Sequence, residues 1–211
     1  MTAGSGILHQ EMPKGNKAGR MYGFQLWANL PAAQKMMAPR YRDVKSGMVP
    51  VAKTSQGAEI RVVAGAVGSV RGPVRDVVID PEYLDVTLPA HAQWTHLIKA
   101  GHTVFAYVVD GEGYFEPGRD GFAHDAVGVN YFDMKVPCAC SRDTLVLYGP
   151  GDSVQVTTEN RSVRFLLVSG RPLGEPIAWY GPIVMNTREE LRQAFEEFQK
   201  GTFVKKSGSK V

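Results

Sequence analysis

The amino-acid sequence predicts an all-β protein of the jelly-roll type that ends in one α-helix. Short segments rich in Val, Ile, Leu, Tyr and Phe follow one another from residue 60 to residue 169. Turns containing Gly or Pro separate most of these segments, as at residues 110–113 and 149–152. The chain holds 23 Gly and 13 Pro in 211 residues, a content that suits many tight turns better than a helical fold.

The main β unit begins after a long connector. Its predicted strands are residues 60–63, 83–88, 103–109, 114–116, 144–148, 153–157 and 163–169. Residues 31–58 are expected to be irregular because several Pro and Gly residues interrupt any helix there. Residues 117–142 show little periodicity and are expected to form a long loop.

Two further strands are predicted before the connector, at residues 7–12 and 22–30. In the second segment, Phe24, Leu26, Ala28 and Leu30 recur with the period of two that places side chains on one face of a strand. We expect both segments to be strands whose neighbours are missing. Unpaired strand edges promote association, so self-association of the chain is expected.

One helix is predicted near the end of the chain, at residues 188–200. Thr187 and Glu190 have the spacing of a capping box at its start, and Gly201 can end it. An apolar stripe follows the helical period, and we expect it to pack on a barrel surface; it contains Leu191, Ala194, Phe195 and Phe198. The tail at residues 207–210 is expected to be disordered.

Charge and cysteine content restrict the function classes. The formal net charge is +3 without a dense basic stripe, so direct binding to nucleic acid is not expected. Cys138 and Cys140 are one residue apart, which rarely suits a disulfide and indicates reduced thiols. We find no signal peptide and no apolar run longer than a strand, so we expect no membrane segment and a cytoplasmic protein, or a nuclear one in a eukaryote.

His9 and Glu11 are the candidate metal ligands. Residues i and i+2 of a strand project to the same face, so an imidazole and a carboxylate would lie side by side. That pair suits a non-haem Fe(II) site with open positions. The alternative, an exposed polar pair near the chain terminus, remains open at this point.

A second histidine cluster, formed by His91, His96 and His102, is a candidate for another metal site. His91 and His96 are five residues apart, so they would face opposite sides of a regular strand. No carboxylate accompanies them at a metal-ligand spacing. These histidines are therefore interpreted as turn or surface residues.

Several segments together resemble the pirin family. They are residues 1–13, 23–30, 35–36, 39–41, 149–156 and 181–187, and their order and spacing match across essentially the whole chain. The resemblance implies two stacked cupin barrels, of which only the N-terminal barrel holds a metal, usually iron, through three histidines and one glutamate. His9 and Glu11 match the third histidine and the glutamate. The other two histidines belong to an earlier His-x-His motif, which this sequence lacks, so an N-terminally truncated chain is expected.

The resemblance also implies domains and an activity. Residues 1–50 would be the remnant of the first cupin with the connector, residues 51–185 the second cupin, and residues 186–211 the C-terminal helix and tail. Intact relatives would be Fe(II)-dependent proteins with quercetin 2,3-dioxygenase-like activity, whereas this chain would be metal-deficient; no catalytic residue can be assigned. The alternative is a metal- or redox-responsive module that binds a protein partner instead of a flavonol-like molecule.

Overall fold

The computed structural model describes residues 1–15, 17–116 and 139–205. The predicted loop at residues 117–142 lies mostly outside these ranges, as do Cys138 and the tail at residues 207–210. The described chain is mostly β, with two short helical segments and one longer helix. The all-β prediction is therefore confirmed.

The chain divides into two compact units. One consists of Met1–Asp43 with Leu173–Val211, and the other is Val44–Pro172. Residues 173–185 thus group with the chain ends, whereas the sequence interpretation assigned them to the second cupin. The domain boundaries at residues 50 and 185 stay a prediction.

The unit Val44–Pro172 is built around one large antiparallel sheet. Its strands are β1 (Val51–Lys53), β2 (Glu59–Ala64), β5 (Glu82–Leu88), β6 (Gln93–Leu97), β7 (Thr103–Tyr114), β8 (Ala139–Ser141), β9 (Leu145–Leu147), β10 (Ser153–Thr157) and β11 (Val163–Gly170). The spatial order is β1-β2-β5-β11-β7-β10-β6, and β8 and β9 also pair with β7. A small separate hairpin joins β3 (Ala66–Val67) to β4 (Val70–Arg71). A 3₁₀ turn at Ser46–Met48 precedes β1.

Alternating residues of the central strands form the core of this unit. The inward side chains of β2, β5 and β11 are almost fully buried; they include Ile60, Val62, Leu84, Val86, Leu88, Val163, Phe165 and Leu167. Phe165 lies at the centre, with its ring 5.9 Å from Trp94 and 5.0 Å from Phe115. In β2 and β5 the alternation of the sequence therefore identifies the buried face.

β7 is longer than predicted and serves two parts of the sheet. Residues 110–113 were expected to be a turn, but the strand continues through them. Its first part pairs with β11 and β9, and Glu112–Tyr114 pairs with β8. Gly111 suits this part of the strand, because its φ of 74° is accessible to glycine and its missing side chain lets the Ser162 carbonyl approach.

β6 is the strand that the sequence interpretation missed. The sequence predicts no strand here and interprets His91 and His96 as turn or surface residues. Trp94 and His96 are instead buried on the inward face of β6, while Thr95 and Leu97 are exposed. The alternation is present, but its inward members are aromatic and imidazole rings instead of aliphatic side chains.

The predicted strands at residues 7–12 and 22–30 are wrong. Neither segment pairs with another described residue as a strand, and the bridge in this region joins Thr2 to Arg40. A strand needs a neighbour that takes up its backbone hydrogen bonds, and period-two patterning alone does not supply one. These segments are extended chain, with Phe24 and Leu26 each 45% exposed.

The connector contains more regular structure than expected. Residues 31–58 include helix α1 (Ala32–Lys35), which begins directly after Pro31, as well as the 3₁₀ turn and β1. Proline is tolerated at a helix start, where its missing N–H is not needed. The prolines in this segment therefore delimit short elements.

The predicted C-terminal helix is confirmed as α2 (Arg188–Gln199). It contacts a hairpin of the same unit, formed by β12 (Ala178–Tyr180) and β13 (Ile183–Met185), and the Phe195 ring lies 5.5 Å from Tyr180. Ala194 is the buried member of the apolar stripe, whereas Phe198 is exposed. The prediction that the whole stripe packs on a barrel surface is therefore wrong, because the helix packs on this hairpin and one end of the stripe is exposed.

Helix α2 begins with the predicted capping box. The Glu190 N–H donates to Thr187 Oγ1 at 3.2 Å, and the Thr187 N–H donates to the Glu190 carboxylate at 2.9 Å. The second of these bonds lowers the pKa of Glu190. A carboxylate with a lowered pKa stabilises the fold above its ordinary titration range, and that stabilisation is lost as pH falls through the lowered value.

Replacing the cap should weaken the helix. We expect Thr187→Ala to cost about 0.5–2 kcal/mol at neutral pH, because the Glu190 N–H loses its acceptor. Thermal unfolding followed by circular dichroism measures the change. Thr187→Ser keeps the hydroxyl and should unfold like the parent chain; equal melting temperatures for all three proteins would contradict the prediction.

Candidate functional site

His9 and Glu11 lie side by side, as their spacing predicts. His9 Nε2 is 3.4 Å from Glu11 Oε1. Both side chains are accessible, with exposed fractions of 37% for His9 and 64% for Glu11. The extended backbone of residues 7–12 produces this arrangement without a paired strand. The pair can offer one imidazole nitrogen and one carboxylate to a bound ion or molecule.

Gln25 is a third polar side chain at this pair. Its Nε2 donates to Glu11 Oε1 at 2.9 Å, although it lies 14 residues further along the chain. The sequence interpretation did not identify Gln25, because contacts between separate extended segments leave no local pattern. A hydrogen bond of this kind can orient a carboxylate for ligand binding.

The described residues do not complete a metal centre around His9 and Glu11. Across residues 1–15, 17–116 and 139–205, no three His, Cys, Asp or Glu side chains are arranged to hold one ion. The resemblance assigns His9 and Glu11 half of a ligand set. Their role as metal ligands stays a prediction.

A second polar cluster lies inside the unit Val44–Pro172. His96 Nε2 is 3.2 Å and 3.3 Å from the two carboxylate oxygens of Glu82. Ser169 Oγ donates to Glu82 Oε2 at 3.2 Å, and His102 Nδ1 lies 3.3 Å from Ser169 Oγ. Glu82, His96 and Ser169 are buried, and His102 is half-buried.

Strand pairing brings this second cluster together. Ser169 on β11 is directly opposite Glu82 on β5, and His96 projects from the inward face of β6. The interpretation of His96 as a turn or surface residue is therefore wrong, and the carboxylate that seemed absent comes from another strand. His91 is exposed with φ of 57°, as expected for a turn residue.

Comparison with protein families identifies the fold. The Pirin C-terminal cupin domain matches residues 83–204, more than half of the chain. A pirin-like protein from Caulobacter vibrioides is 39% identical over 206 residues, which cover 96% of this chain and 66% of the relative. The chain belongs to the pirin family. Mouse pirin is 36% identical, over 94% of this chain and 62% of its own length.

Other pirin-family relatives carry enzyme names. A protein from Thermoplasma acidophilum, provisionally named a quercetin 2,3-dioxygenase, is 35% identical over 97% of this chain and 77% of its own length. The crystal structure of quercetin 2,3-dioxygenase from Acinetobacter baumannii matches with a TM-score of 0.68 and 27% identity, over 84% of this chain and 55% of that one. The chain thus spans roughly two thirds of the length of the curated relatives cited here. Its structural likeness confirms the cupin fold.

No helix among the described residues is long and apolar enough to cross a membrane.

Proposed function

We propose that this pirin-family chain contributes to the metal-dependent oxygenation of a flavonol such as quercetin. The observation that carries the proposal is the contact of His9 with Glu11, which places an imidazole and a carboxylate side by side at 3.4 Å. The dioxygenase names of relatives supply the substrate class. Those names favour an enzyme over a protein-binding module. A cytoplasmic location is part of the proposal.

His9 and Glu11 would each have a defined role at the metal. His9 would bind through a neutral imidazole nitrogen and Glu11 through its carboxylate, a combination suited to Fe(II). Gln25, by donating to Glu11, would hold that carboxylate in place. Bound iron would supply the chemistry that brings O₂ and the flavonol together. His9 and Glu11 would be two of the four ligands that the family resemblance implies.

The chain by itself should bind iron weakly. With His9 and Glu11 as the candidate ligands, much of the coordination expected for the family is missing, and even the loss of a residue that supports a ligand typically lowers metal affinity about 10- to 100-fold. We expect less than one iron per chain after desalting, measured by elemental analysis. One tightly held iron per chain that disappears in His9→Ala would contradict this expectation.

The proposed activity is tested in a chimera. The N-terminal third of the Caulobacter vibrioides relative, where the family resemblance places the His-x-His motif, would be fused before Met1. Loaded with Fe(II), the chimera should consume quercetin in air, and His9→Ala or Glu11→Ala should abolish turnover. His91→Asn is the matched control, because His91 is exposed and its backbone conformation is one that asparagine tolerates. An iron-loaded chimera without turnover would refute the proposed activity.

Self-association is a further expected property of the 211-residue chain. The segment from residue 8 to residue 27 exposes large apolar side chains; they include Leu8, Met12, Met21, Tyr22, Phe24, Leu26 and Trp27. Apolar surface of this kind favours association. Size-exclusion chromatography with light scattering should show oligomers for the whole chain and a monomer for residues 44–172. Clean monomers in both samples would show that the exposed segment does not drive association.

A further inference from the structure

We propose that Phe203, which follows the C-terminal helix, is a positioning residue for the pair formed by His9 and Glu11. It would act through Gly6, three residues before His9, and not as a ligand. The inference rests on the proposed function, because it concerns the same candidate metal ligands. All four residues belong to the same compact unit of the chain.

The chain that leads to His9 is fixed at several points. Thr2 and Arg40 exchange two backbone hydrogen bonds, of 2.7 Å and 2.9 Å. The Ser5 N–H donates to a backbone carbonyl of the same unit at 2.8 Å. Gly6 is buried, whereas His9 and its neighbours on both sides are exposed. Gly6 is therefore the last buried residue before the candidate ligand.

Phe203 lies directly against Gly6. A Cβ atom added to Gly6 would be 2.7 Å from Phe203 Cε1, 3.0 Å from Cδ1 and 3.1 Å from the Phe203 carbonyl oxygen. Such distances leave no room for a side chain, so the ring and the backbone of Phe203 both cover the glycine. The contact joins residues that are almost the whole chain apart in sequence.

Helix α2 determines where Phe203 lies. Just beyond the helix the Thr202 N–H donates to the Glu197 carbonyl at 2.9 Å, which turns the chain back. The Phe203 ring packs edge-on against Phe198, with 5.8 Å between centroids and 84° between planes. Lys205 Nζ lies 2.5 Å from the Glu197 carboxylate. The segment that carries Phe203 is thus attached to the helix on both sides of the ring.

The candidate ligands are consequently held from two directions. Gln25 donates to Glu11 on one side, and the contact of Phe203 with Gly6 fixes the chain on the other. Three extended residues span about 10 Å, so a displacement of Gly6 is passed on to His9 with little slack. A binding site needs its groups held within about 0.5 Å of the productive geometry. Release of Phe203 should therefore weaken metal binding although no ligand is lost.

The iron affinity of the chimera tests this role of Phe203. Chelator competition should give an Fe(II) affinity about 10- to 100-fold lower for Phe203→Ala than for the parent chimera, as for other residues that support a ligand. Val204→Ala is the matched control, because Val204 is the next residue and is 40% exposed. It should bind iron like the parent. Equal affinities of the two variants would overturn the inference.

A measurement without iron separates this inference from the proposed function. In the metal-free 211-residue chain, the side-chain amide of Gln25 donates to Glu11. Its NMR signal, assigned with Gln25→Ala, should move in Phe203→Ala toward its position in Glu11→Ala, where the acceptor is absent. Val204→Ala should leave the signal in place. An unmoved Gln25 signal in folded Phe203→Ala protein would overturn the inference, whether or not the chimera consumes quercetin.

A second variant covers a failure of Phe203→Ala to fold. Circular dichroism first establishes whether that variant keeps the spectrum of the parent chain. If it does not, both measurements are made on Phe203→Leu, which keeps an apolar side chain but lacks the flat ring over Gly6. A smaller shift of the Gln25 signal and a smaller loss of iron affinity are then expected. No change in either quantity would overturn the inference.

Discussion

Phe165→Ala is expected to lower the free energy of unfolding of the unit Val44–Pro172 by about 3–5 kcal/mol. Phe165 is fully buried, with 0% exposure, on the central strand β11. Its ring contacts Trp94 from β6 and Phe115 beyond the end of β7, so it fills space between strands that are distant in sequence. Truncation leaves a cavity that a rigid sheet cannot close. Urea unfolding followed by tryptophan fluorescence measures the loss.

A surface leucine provides the control for Phe165. Leu97 on β6 is 78% exposed, so Leu97→Ala should change stability by less than about 0.5 kcal/mol. If Phe165→Ala and Leu97→Ala have similar unfolding midpoints, the aromatic cluster is not the centre of this core.

Gly111→Ala should lower the free energy of unfolding by about 2–5 kcal/mol, because backbone strain and overpacking both destabilise the folded state. A Cβ at this position would lie 1.9 Å from the Ser162 carbonyl oxygen and 2.9 Å from its carbon. Both atoms belong to the backbone and cannot rotate away. The φ of 74° adds a conformational cost for any residue with a side chain. Separation of β7 from β11 near Val163 is the structural change that would relieve the contact.

Gly101→Ala separates the two causes of the lost stability, which are the backbone conformation and the contact with Ser162. The φ of Gly101 is 77°, but a Cβ there would meet no described atom within 4 Å. Gly101→Ala should therefore show the conformational cost alone, about 1 kcal/mol. Equal unfolding free energies for the Gly101 and Gly111 variants would show that the Ser162 contact contributes nothing.

The strands that the sequence predicted well are those whose inward residues are mostly apolar. β5, β10 and β11 begin and end within one residue of the prediction. The burial of β5 follows the alternation of its sequence, and β11 is buried along almost its whole length, as a continuous apolar run predicts; both signals are local. β6 escaped prediction because one of its two inward residues, His96, is polar, so the strand lacks an apolar alternation. The error at residues 7–12 and 22–30 is the opposite one, because strands are predicted there and none is present. A local pattern cannot reveal whether a partner strand is available.

The same distinction between local and distant contacts applies to the candidate sites. His9 and Glu11 are two residues apart, so the extended chain alone places them together. Glu82 and His96 are 14 residues apart and Glu82 and Ser169 are 87 apart. Their proximity depends on the register of β5 with β11 and on the position of β6. A single sequence contains no signal for such a register, so the cluster became visible only with the fold.

The position of β11 has a consequence for synthesis of the chain. β11 lies between β5 and β7, although both of these strands precede it in the sequence. A ribosome therefore releases β5 and β7 before the strand that joins them exists. During that interval the edges of β5 and β7 that β11 later covers have no partner, and open strand edges of this kind promote association with other chains. The central pairing cannot be complete before residue 170 leaves the exit tunnel, so translation of β11 sets the earliest time of sheet assembly.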